Sequence, residues 1–197
     1  MQAIIEADLP ISIAAVISNE PEAPGLTIAQ SRGIATRVLD HRLFQTRTQY
    51  DEKLIELIEE YRPGLVVLAG FMRILSPLFV HHFKRKLINI HPSLLPAFTG
   101  LHTHQRAIDA GVKVHGCTVH FVTEELDSGP IVAQAVVPVL ADDNENTLAQ
   151  RVLKEEHIIY PKVIDWWAQG RLHWRDDRIV VVPSDHPQQA LIVPCVS

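Results

Sequence analysis

The stretch that decides the fold is "LVVLAGFMRILSPLFVHHFKRKLINIHPSLLP", residues 65–96. With the preceding Gly64, its opening reads "GLVVLAG" (64–70). This is a continuous run of leucine and β-branched residues, which is typical of a strand buried on both faces. One or two helical turns follow, and "LINI" at 87–90 then forms a second buried strand. Pro92 and Pro96 prevent that strand from continuing. A strand, a helical turn and a second strand in succession indicate an α/β protein.

Strand and helix patterns alternate on both sides of this stretch. Gly33 and Gly111 stand where predicted helices end, and Pro63 closes the clearest helix. This alternation predicts an α/β domain on a mostly parallel central sheet flanked by helices. The predicted strands are 11–18, 34–40, 64–70, 87–90 and a pair around a turn in 115–139, and the predicted helices are 1–7, 25–33, 48–63, 103–111 and 147–172.

Length and composition favour one globular domain over residues 1–197. The 197 residues are 47% hydrophobic and 21% charged, and residues 173–197 form a weakly patterned tail in which we expect a small hairpin. A net charge of −5 without a basic stripe argues against a nucleic-acid partner. The sequence shows no signal peptide and no membrane-spanning run, and Cys117 and Cys195 have no metal-ligand spacing. We therefore predict a cytoplasmic protein with no membrane partner.

Three polar side chains stand where predicted strands end. Asn89 and His91 come at the end of "LINI", and Asp127 lies in the turn "TEELDSGP" at 123–130. Each residue alone has an ordinary structural explanation: an asparagine that caps a loop, a hydrogen-bonded histidine, and a turn aspartate that bonds its own backbone. Because ligands of open α/β sheets bind beyond the carboxyl ends of the strands, all three are also candidates for a site.

Together the three residues suit an acyl transfer. Such a reaction passes through a tetrahedral intermediate whose oxygen becomes negative, and the Asn89 amide is a donor for that oxygen. A histidine such as His91 is suited to acid–base work near neutral pH, and a carboxylate such as Asp127 beside it would favour the imidazolium. This set requires no serine or cysteine nucleophile, so the attacking group would come from the substrate.

Four motifs in a fixed order carry a resemblance to a known family. They are "VVLAGFMRILSP" at 66–77, "NIHPSLLP" at 89–96, "GLHTHQRAIDAG" at 100–111 and "HGCTVHFVTEELDSGPIVAQ" at 115–134. To about Leu172 the chain resembles the phosphoribosylglycinamide formyltransferases, which are folate-dependent enzymes of de novo purine (IMP) biosynthesis. "GLHTH" and "EEHIIYP" at 155–161 favour these enzymes over the tRNA formyltransferases and the formyltetrahydrofolate hydrolases.

This resemblance implies a Rossmann-like formyltransferase fold and a definite reaction. 10-Formyltetrahydrofolate, the co-substrate, would donate its formyl group to the amine of glycinamide ribonucleotide, without a metal. In the matching roles Asn89 would hold the formyl oxygen and His91 would be the general acid. Asp127 would keep His91 charged and help to order a water for proton transfer.

The resemblance also implies which residues bind folate. Contacts would come from Asn89 and from "MRIL" at 72–75, where backbone groups would bind the pteridine head. Ile74 and Leu75 would line an apolar slot there. The residues of this segment are Met72, Arg73, Ile74 and Leu75.

Two charged residues match positions at the far ends of the substrates. Arg47 matches an arginine near the folate tail, where a guanidinium suits a glutamate carboxylate. Glu156 matches the residue that binds the ribose hydroxyls of the ribonucleotide. Without the family match, a solvated surface arginine and an exposed helix carboxylate explain these two residues equally well.

The beginning of the sequence departs from the family. Members open with a buried strand and a glycine-rich loop of the type S-G-x-G-S-N-L, followed by a helix that begins "QAII", whereas this sequence starts at Met1 in that helix. The loop would seat the ribonucleotide phosphate. We therefore expect the first strand to be missing and sheet edges to be unpaired. We interpret the sequence as N-terminally truncated; a true short form would bind the ribonucleotide feebly.

Two rival functions remain open at this point. One is a formyltetrahydrofolate hydrolase that uses the same three residues to activate water. The other is an inactive folate-binding form without the phosphate loop. A metal site is not expected, because the spacing of the clustered histidines, His102, His104, His115 and His120, fits no common zinc pattern.

Overall fold

The computed structural model describes residues 1–182, so the end of the predicted tail, with Cys195, lies outside the described residues. Helices and strands alternate as the sequence predicts. In chain order they are α1 (Gln2–Glu6), β1 (Val16–Ser18), α2 (Pro24–Ser31), β2 (Thr36–Val38), a 3-10 turn (His41–Leu43), α3 (Arg47–Glu59), β3 (Val66–Leu68), α4 (Pro77–His82), β4 (Leu87–His91), α5 (Thr103–Asp109), β5 (Val114–Phe121), β6 (Ile131–Pro138), α6 (Glu145–Ala168), β7 (Leu172–Arg175) and β8 (Arg178–Val181).

The described strands form three sheets. The central sheet has the order β3-β4-β5-β6, in which β3 and β4 are parallel and β5 and β6 continue the sheet antiparallel. β1 and β2 form a separate parallel pair, and β7 and β8 form the hairpin expected near the end of the chain. The predicted α/β architecture, with parallel strands and flanking helices, is confirmed.

The long helix α6 supplies much of the core. Its apolar residues Leu148, Val152 and Val163 are fully buried and pack in one cluster with Cys117 and Val119 of β5. Burial of a side chain of this size contributes roughly 1.5–3 kcal/mol. A second cluster joins α3 and α4 to the start of β4. The core thus fixes β4 and β5, the two strands that carry the candidate site.

An open gap separates the two parallel parts of the structure. Among the strands of residues 1–182, β1 pairs with β2 alone, and β3 pairs on one side, with β4. A cavity of about 700 Å³ is lined by both strands and by apolar residues such as Ile4, Leu54 and Ile164. The sequence predicted β3 to be buried on both faces, but its residues are only half-buried because they border this cavity. Within residues 1–182, β1 and β3 therefore each have one edge that faces this cavity and pairs with no other strand.

The start of α3 and the end of α2 lie close to the helix boundaries predicted from the sequence. The Thr46 hydroxyl accepts the Gln49 N–H and begins α3, so Arg47 is the first residue of that helix. Gly33, beyond the end of α2, has φ +71°, a conformation that favours glycine. No helix within residues 1–182 is long and apolar enough to cross a membrane.

Candidate active site

The end of β4 presents Asn89 and His91. In the central sheet Asn89 lies between Leu68 of β3 and His120 of β5, and His91 is the last residue of the strand. Residues two apart in a strand share one face, so the two side chains leave the sheet on the same side. Only 6% of His91 is exposed. The structure therefore places the amide and the imidazole side by side in a sheltered position.

Buried hydroxyl groups hold the loop that follows β4. Thr118 of β5 donates its hydroxyl to the Ser93 carbonyl oxygen (2.7 Å) and accepts the Leu95 N–H (3.0 Å). Ser93 donates its own hydroxyl to the Ala97 carbonyl oxygen (2.7 Å). Ser93 and Thr118 are both completely buried. The loop is thus fixed against β5, and it cannot shift without breaking hydrogen bonds in a dry environment.

His91 lies between two hydrogen-bond acceptors. Its Nδ1 is 3.5 Å from Asp127 Oδ2, and its Nε2 is 3.0 Å from the Phe98 carbonyl oxygen. Asp127 Oδ2 also accepts the Gly100 N–H at 2.8 Å. The side chains of His91 and Asp127 are only 7% and 8% exposed, so the charges are weakly screened. An imidazole with a hydrogen-bond acceptor at each nitrogen is placed to be protonated at both nitrogens, and a doubly protonated ring can act as a general acid.

Asp127 reaches the site through a tight turn between β5 and β6. Its φ of +52° lies in the left-handed region, which aspartate tolerates better than most residues. Two residues further on, Gly129 lets the turn close on β5, because a Cβ there would collide with the Phe121 carbonyl oxygen. The sequence placed Asp127 in a turn, and the structure brings that turn to the end of β4.

His120 belongs to this cluster, although the sequence gave no reason to assign it a role there. Its Nδ1 is 3.0 Å from the Phe121 carbonyl oxygen, and its Nε2 is 3.4 Å from Asn89 Nδ2 and 4.0 Å from Asp127 Oδ1. Burial lowers the pKa of His120 and favours the neutral ring. A neutral ring that donates from Nδ1 to Phe121 accepts from Asn89 at Nε2, which leaves the second N–H of the Asn89 amide for a ligand.

The segment 71–75, which contains the residues predicted to bind folate, connects β3 to α4 and bends at Arg73. Met72 and Ile74 are 77% and 57% exposed, whereas Arg73 and Leu75 are half-buried. The Arg73 guanidinium lies over the Tyr50 ring of α3, 5.1 Å from its centroid, and Leu75 packs in the same cluster as Tyr50. Leu75 lines the 700 Å³ cavity and Ile74 does not. The apolar slot expected from Ile74 and Leu75 stays a prediction.

Arg47 and Glu156 lie on different helices. Arg47 is exposed at the start of α3. Glu156 of α6 lines a second cavity of about 440 Å³ together with Pro92 and His104. Burial raises the pKa of Glu156, and the amino group of Met1 opposes that shift. Since Pro92 directly follows β4, the second cavity adjoins the catalytic cluster.

No group of three or more His, Cys, Asp or Glu side chains in residues 1–182 is arranged to hold a metal ion. His104 and His115 instead face each other edge to face, with ring centroids 5.2 Å apart. Burial raises the pKa of the Cys117 thiol to about 12, so Cys117 is a core residue and not a nucleophile.

An amide donor and an imidazole at the end of β4, with a carboxylate brought to them by the turn between β5 and β6, suit a group transfer through a negatively charged tetrahedral intermediate. The family model described as "Formyl transferase" matches residues 1–164. The chain therefore belongs to the formyl transferase family, and its similarities lie chiefly with the phosphoribosylglycinamide formyltransferases.

The individual relatives support this grouping. The chain is 51% identical to the phosphoribosylglycinamide formyltransferase of Escherichia coli (strain K12) over 181 residues, which are 90% of this chain and 85% of the relative. It matches the structure of the phosphoribosylglycinamide formyltransferase from Coxiella burnetii with a TM-score of 0.87 and 48% identity, covering 91% and 86% of the two chains. A formyltetrahydrofolate deformylase from Pseudomonas syringae has a TM-score of 0.81, but the identity is 30% and the chain covers 58% of it.

Proposed function

We propose that this protein transfers the formyl group of 10-formyltetrahydrofolate to the amine of glycinamide ribonucleotide in de novo purine biosynthesis, as a cytoplasmic enzyme of small-molecule substrates. The observation that carries this proposal is the cluster in which His91 and the half-buried Asn89, at the end of β4, meet the sheltered carboxylate of Asp127 from the turn between β5 and β6. The family membership of the chain gives the cluster its substrates.

The Asn89 amide stabilises the charge that develops during transfer. The ribonucleotide amine attacks the formyl carbon, and the formyl oxygen becomes negative in the tetrahedral intermediate. The amide N–H of Asn89 that His120 does not occupy donates to this oxygen. The donor is oriented before the substrate arrives, so little reorganisation is needed when the charge appears.

His91 and Asp127 carry out the proton transfer from the attacking amine to the departing folate nitrogen. The attacking amine loses a proton, and the departing folate nitrogen must gain one. A doubly protonated His91 supplies this proton, and Asp127, 3.5 Å away, stabilises the charged ring until then. A water beside Asp127 returns the proton of the amine to His91. The enzyme itself forms no covalent bond to the formyl group.

Binding of the two substrates uses residues on both sides of this cluster. Residues 72–75 offer backbone groups to the folate head, and Arg47 offers its exposed guanidinium to the glutamate carboxylate of the tail. On the other side Glu156 faces the cavity beside Pro92 and accepts hydrogen bonds from the ribose hydroxyls.

Replacement of the two central residues tests this function. We expect Asn89→Ala to lower kcat about 10²–10³-fold, as loss of one oxyanion donor does. We expect His91→Ala to lower kcat about 10²–10⁴-fold, because the general acid is lost. The measurement is steady-state formyl transfer to glycinamide ribonucleotide, with the thermal midpoint recorded to verify folding.

The control is His173→Ala, at an exposed position in β7, which should retain full activity. Near-normal turnover of either Asn89→Ala or His91→Ala would refute the assigned roles.

Two further measurements separate this function from its rivals. Formate release in the absence of ribonucleotide would identify a hydrolase that uses the same residues. Calorimetric binding of a folate analogue, without any saturable response to glycinamide ribonucleotide, would identify a folate-binding protein without transferase activity. Formyl transfer that saturates with both substrates supports the proposed function.

A further inference from the structure

A buried carboxylate outside the catalytic cluster holds one end of the segment 71–75. Asp51 of α3 is 1% exposed, and its Oδ2 accepts the backbone N–H of Ser76 at 2.6 Å. A hydrogen bond to an ionised acceptor is roughly twice as strong as a neutral one. Because an aspartate is costly to bury, its presence at this contact calls for an explanation.

The segment has few other attachments to the protein. Within residues 1–182, the backbone groups of residues 71–75 make no hydrogen bond. At its beginning Gly70 turns the chain with φ +69°, and at its end Ser76 begins α4 by accepting the Phe79 N–H. The backbone donors and acceptors of the segment are therefore available to a ligand, and their position depends on how its two ends are held.

Helix α3 connects this segment to the predicted site of the folate tail. Tyr50, beneath the Arg73 guanidinium, and Asp51 are adjacent in α3, and Arg47 lies one turn earlier. Residues four apart lie on the same side of a helix, so Arg47 and Asp51 share one side of α3. One rigid helix thus carries both the exposed guanidinium and the anchor of the segment.

We propose that Asp51 is a positioning residue for the reduced folate: by holding Ser76 it sets the free backbone groups of residues 71–75 at a fixed distance from Arg47. The inference rests on the proposed function, which assigns the folate head to this segment and its tail to Arg47. Asp51 touches neither substrate in this scheme and acts only through Ser76.

The contact predicts a graded response to substitution at position 51. Asp51→Ala removes the acceptor and releases the segment. Asp51→Asn keeps an acceptor oxygen in a side chain of the same shape, so it should retain most of the function. Asp51→Glu keeps the charge but displaces the carboxylate by one methylene, and it serves as the second disrupting variant where Asp51→Ala does not fold.

The test is calorimetric binding of a non-reactive folate analogue to the full chain and its variants. We expect Asp51→Ala and Asp51→Glu to raise the Kd about tenfold or more, since a small misplacement of binding groups has effects of this size. Asp51→Asn should bind within about threefold of the wild type, because its hydrogen bond is retained but neutral. The KM for glycinamide ribonucleotide should change little in all three variants.

Two control variants separate positioning from general destabilisation. Glu52→Gln makes the same chemical change as Asp51→Asn at the exposed neighbouring position. Ile58→Val removes one buried methyl group from α3 two turns away and leaves the contact between Asp51 and Ser76 in place. Equal weakening of folate binding by Ile58→Val, or wild-type binding by Asp51→Ala, would overturn the positioning role alone. A wild-type chain that binds no folate analogue would overturn the proposed function and this inference with it.

Discussion

His120 controls Asn89 through one hydrogen bond. An asparagine amide can rotate to present either its oxygen or its nitrogen, and only the nitrogen can stabilise a negative formyl oxygen. Because His120 donates from Nδ1 to the Phe121 carbonyl oxygen, its bare Nε2 accepts the Asn89 N–H and selects the useful rotamer. The proposed donor function of Asn89 therefore depends on the hydrogen bond that Asn89 makes with His120.

We expect His120→Phe to lower kcat about tenfold, because loss of one orienting hydrogen bond is worth roughly 1.4 kcal/mol. The Kd for a folate analogue should stay near the wild-type value, since the proposed function assigns the folate head to residues 72–75 and its tail to Arg47. Steady-state kinetics and calorimetry on the same preparations measure both quantities. A loss confined to folate binding, with kcat unchanged, would contradict the orienting role.

The residues of the candidate site differ in how far their positions could be predicted from the sequence. Asn89 and His91 could be predicted because a buried apolar run ended by prolines places both at a strand end. Asp127 could be predicted only as a turn residue, since the turn's conformation brings it to His91. His120 was not assigned to the site, because its place opposite Asn89 depends on the antiparallel register of β4 and β5, which the sequence does not specify.

Helices were easier to predict than strands in this protein. α3 and α6 follow from an apolar periodicity of 3.6 residues and from capping residues, which are local properties of the chain. β1 and β3 were predicted at 11–18 and 64–70, yet each has only three residues. A strand's length depends on its partners, and among the described residues each of these strands pairs on one side. Periodicity cannot show how many partners a strand has.

The contact between α5 and β5 makes the fold sensitive to acid. His115 of β5 is 1% exposed, and burial, with His104 of α5 and His91 nearby, lowers its pKa from 6.5 to about 4. Within residues 1–182 neither ring nitrogen of His115 makes a well-formed hydrogen bond, and the backbone of Pro92 opposes the lowering of the pKa only in part. The unfolded chain therefore binds a proton at this residue more readily than the folded chain does.

We expect the free energy of unfolding to fall as the pH is lowered from about 6.5 to about 4, because protonation of His115 in this window favours the unfolded chain. Above pH 6.5 the contribution of His115 to stability is complete. His115→Phe keeps a ring of similar size against Phe98 but takes up no proton, so its thermal midpoint should depend less on pH. The exposed His173→Phe should keep the wild-type dependence. Identical pH profiles for His115→Phe and the wild type would rule out this explanation.

The molecule as a whole is divided by the cavity between β1 and β3. Each strand leaves one edge unpaired, and apolar side chains from α1, α3 and α6 line the space between them. Water in such a space satisfies the strand edges but leaves the apolar surface hydrated, so the arrangement is less stable than a continuous sheet. A single additional strand would satisfy both edges and cover this surface.

A strand fused before Met1 should therefore stabilise the protein and improve ribonucleotide use. We expect a run of five to seven Val and Ile residues, followed by a glycine-rich loop, to pair with β1 and β3 and to raise the thermal midpoint by about 5–10 °C, since 1 kcal/mol shifts it by about 2–4 °C in a chain of this size. The backbone N–H groups of the loop, at the start of α1, should also lower the KM for glycinamide ribonucleotide by binding its phosphate.

A fusion of equal length with Asp and Ser at alternate strand positions is the control and should give neither effect. If both fusions leave the thermal midpoint unchanged, the cavity does not accept a strand and the division of the sheet does not limit stability.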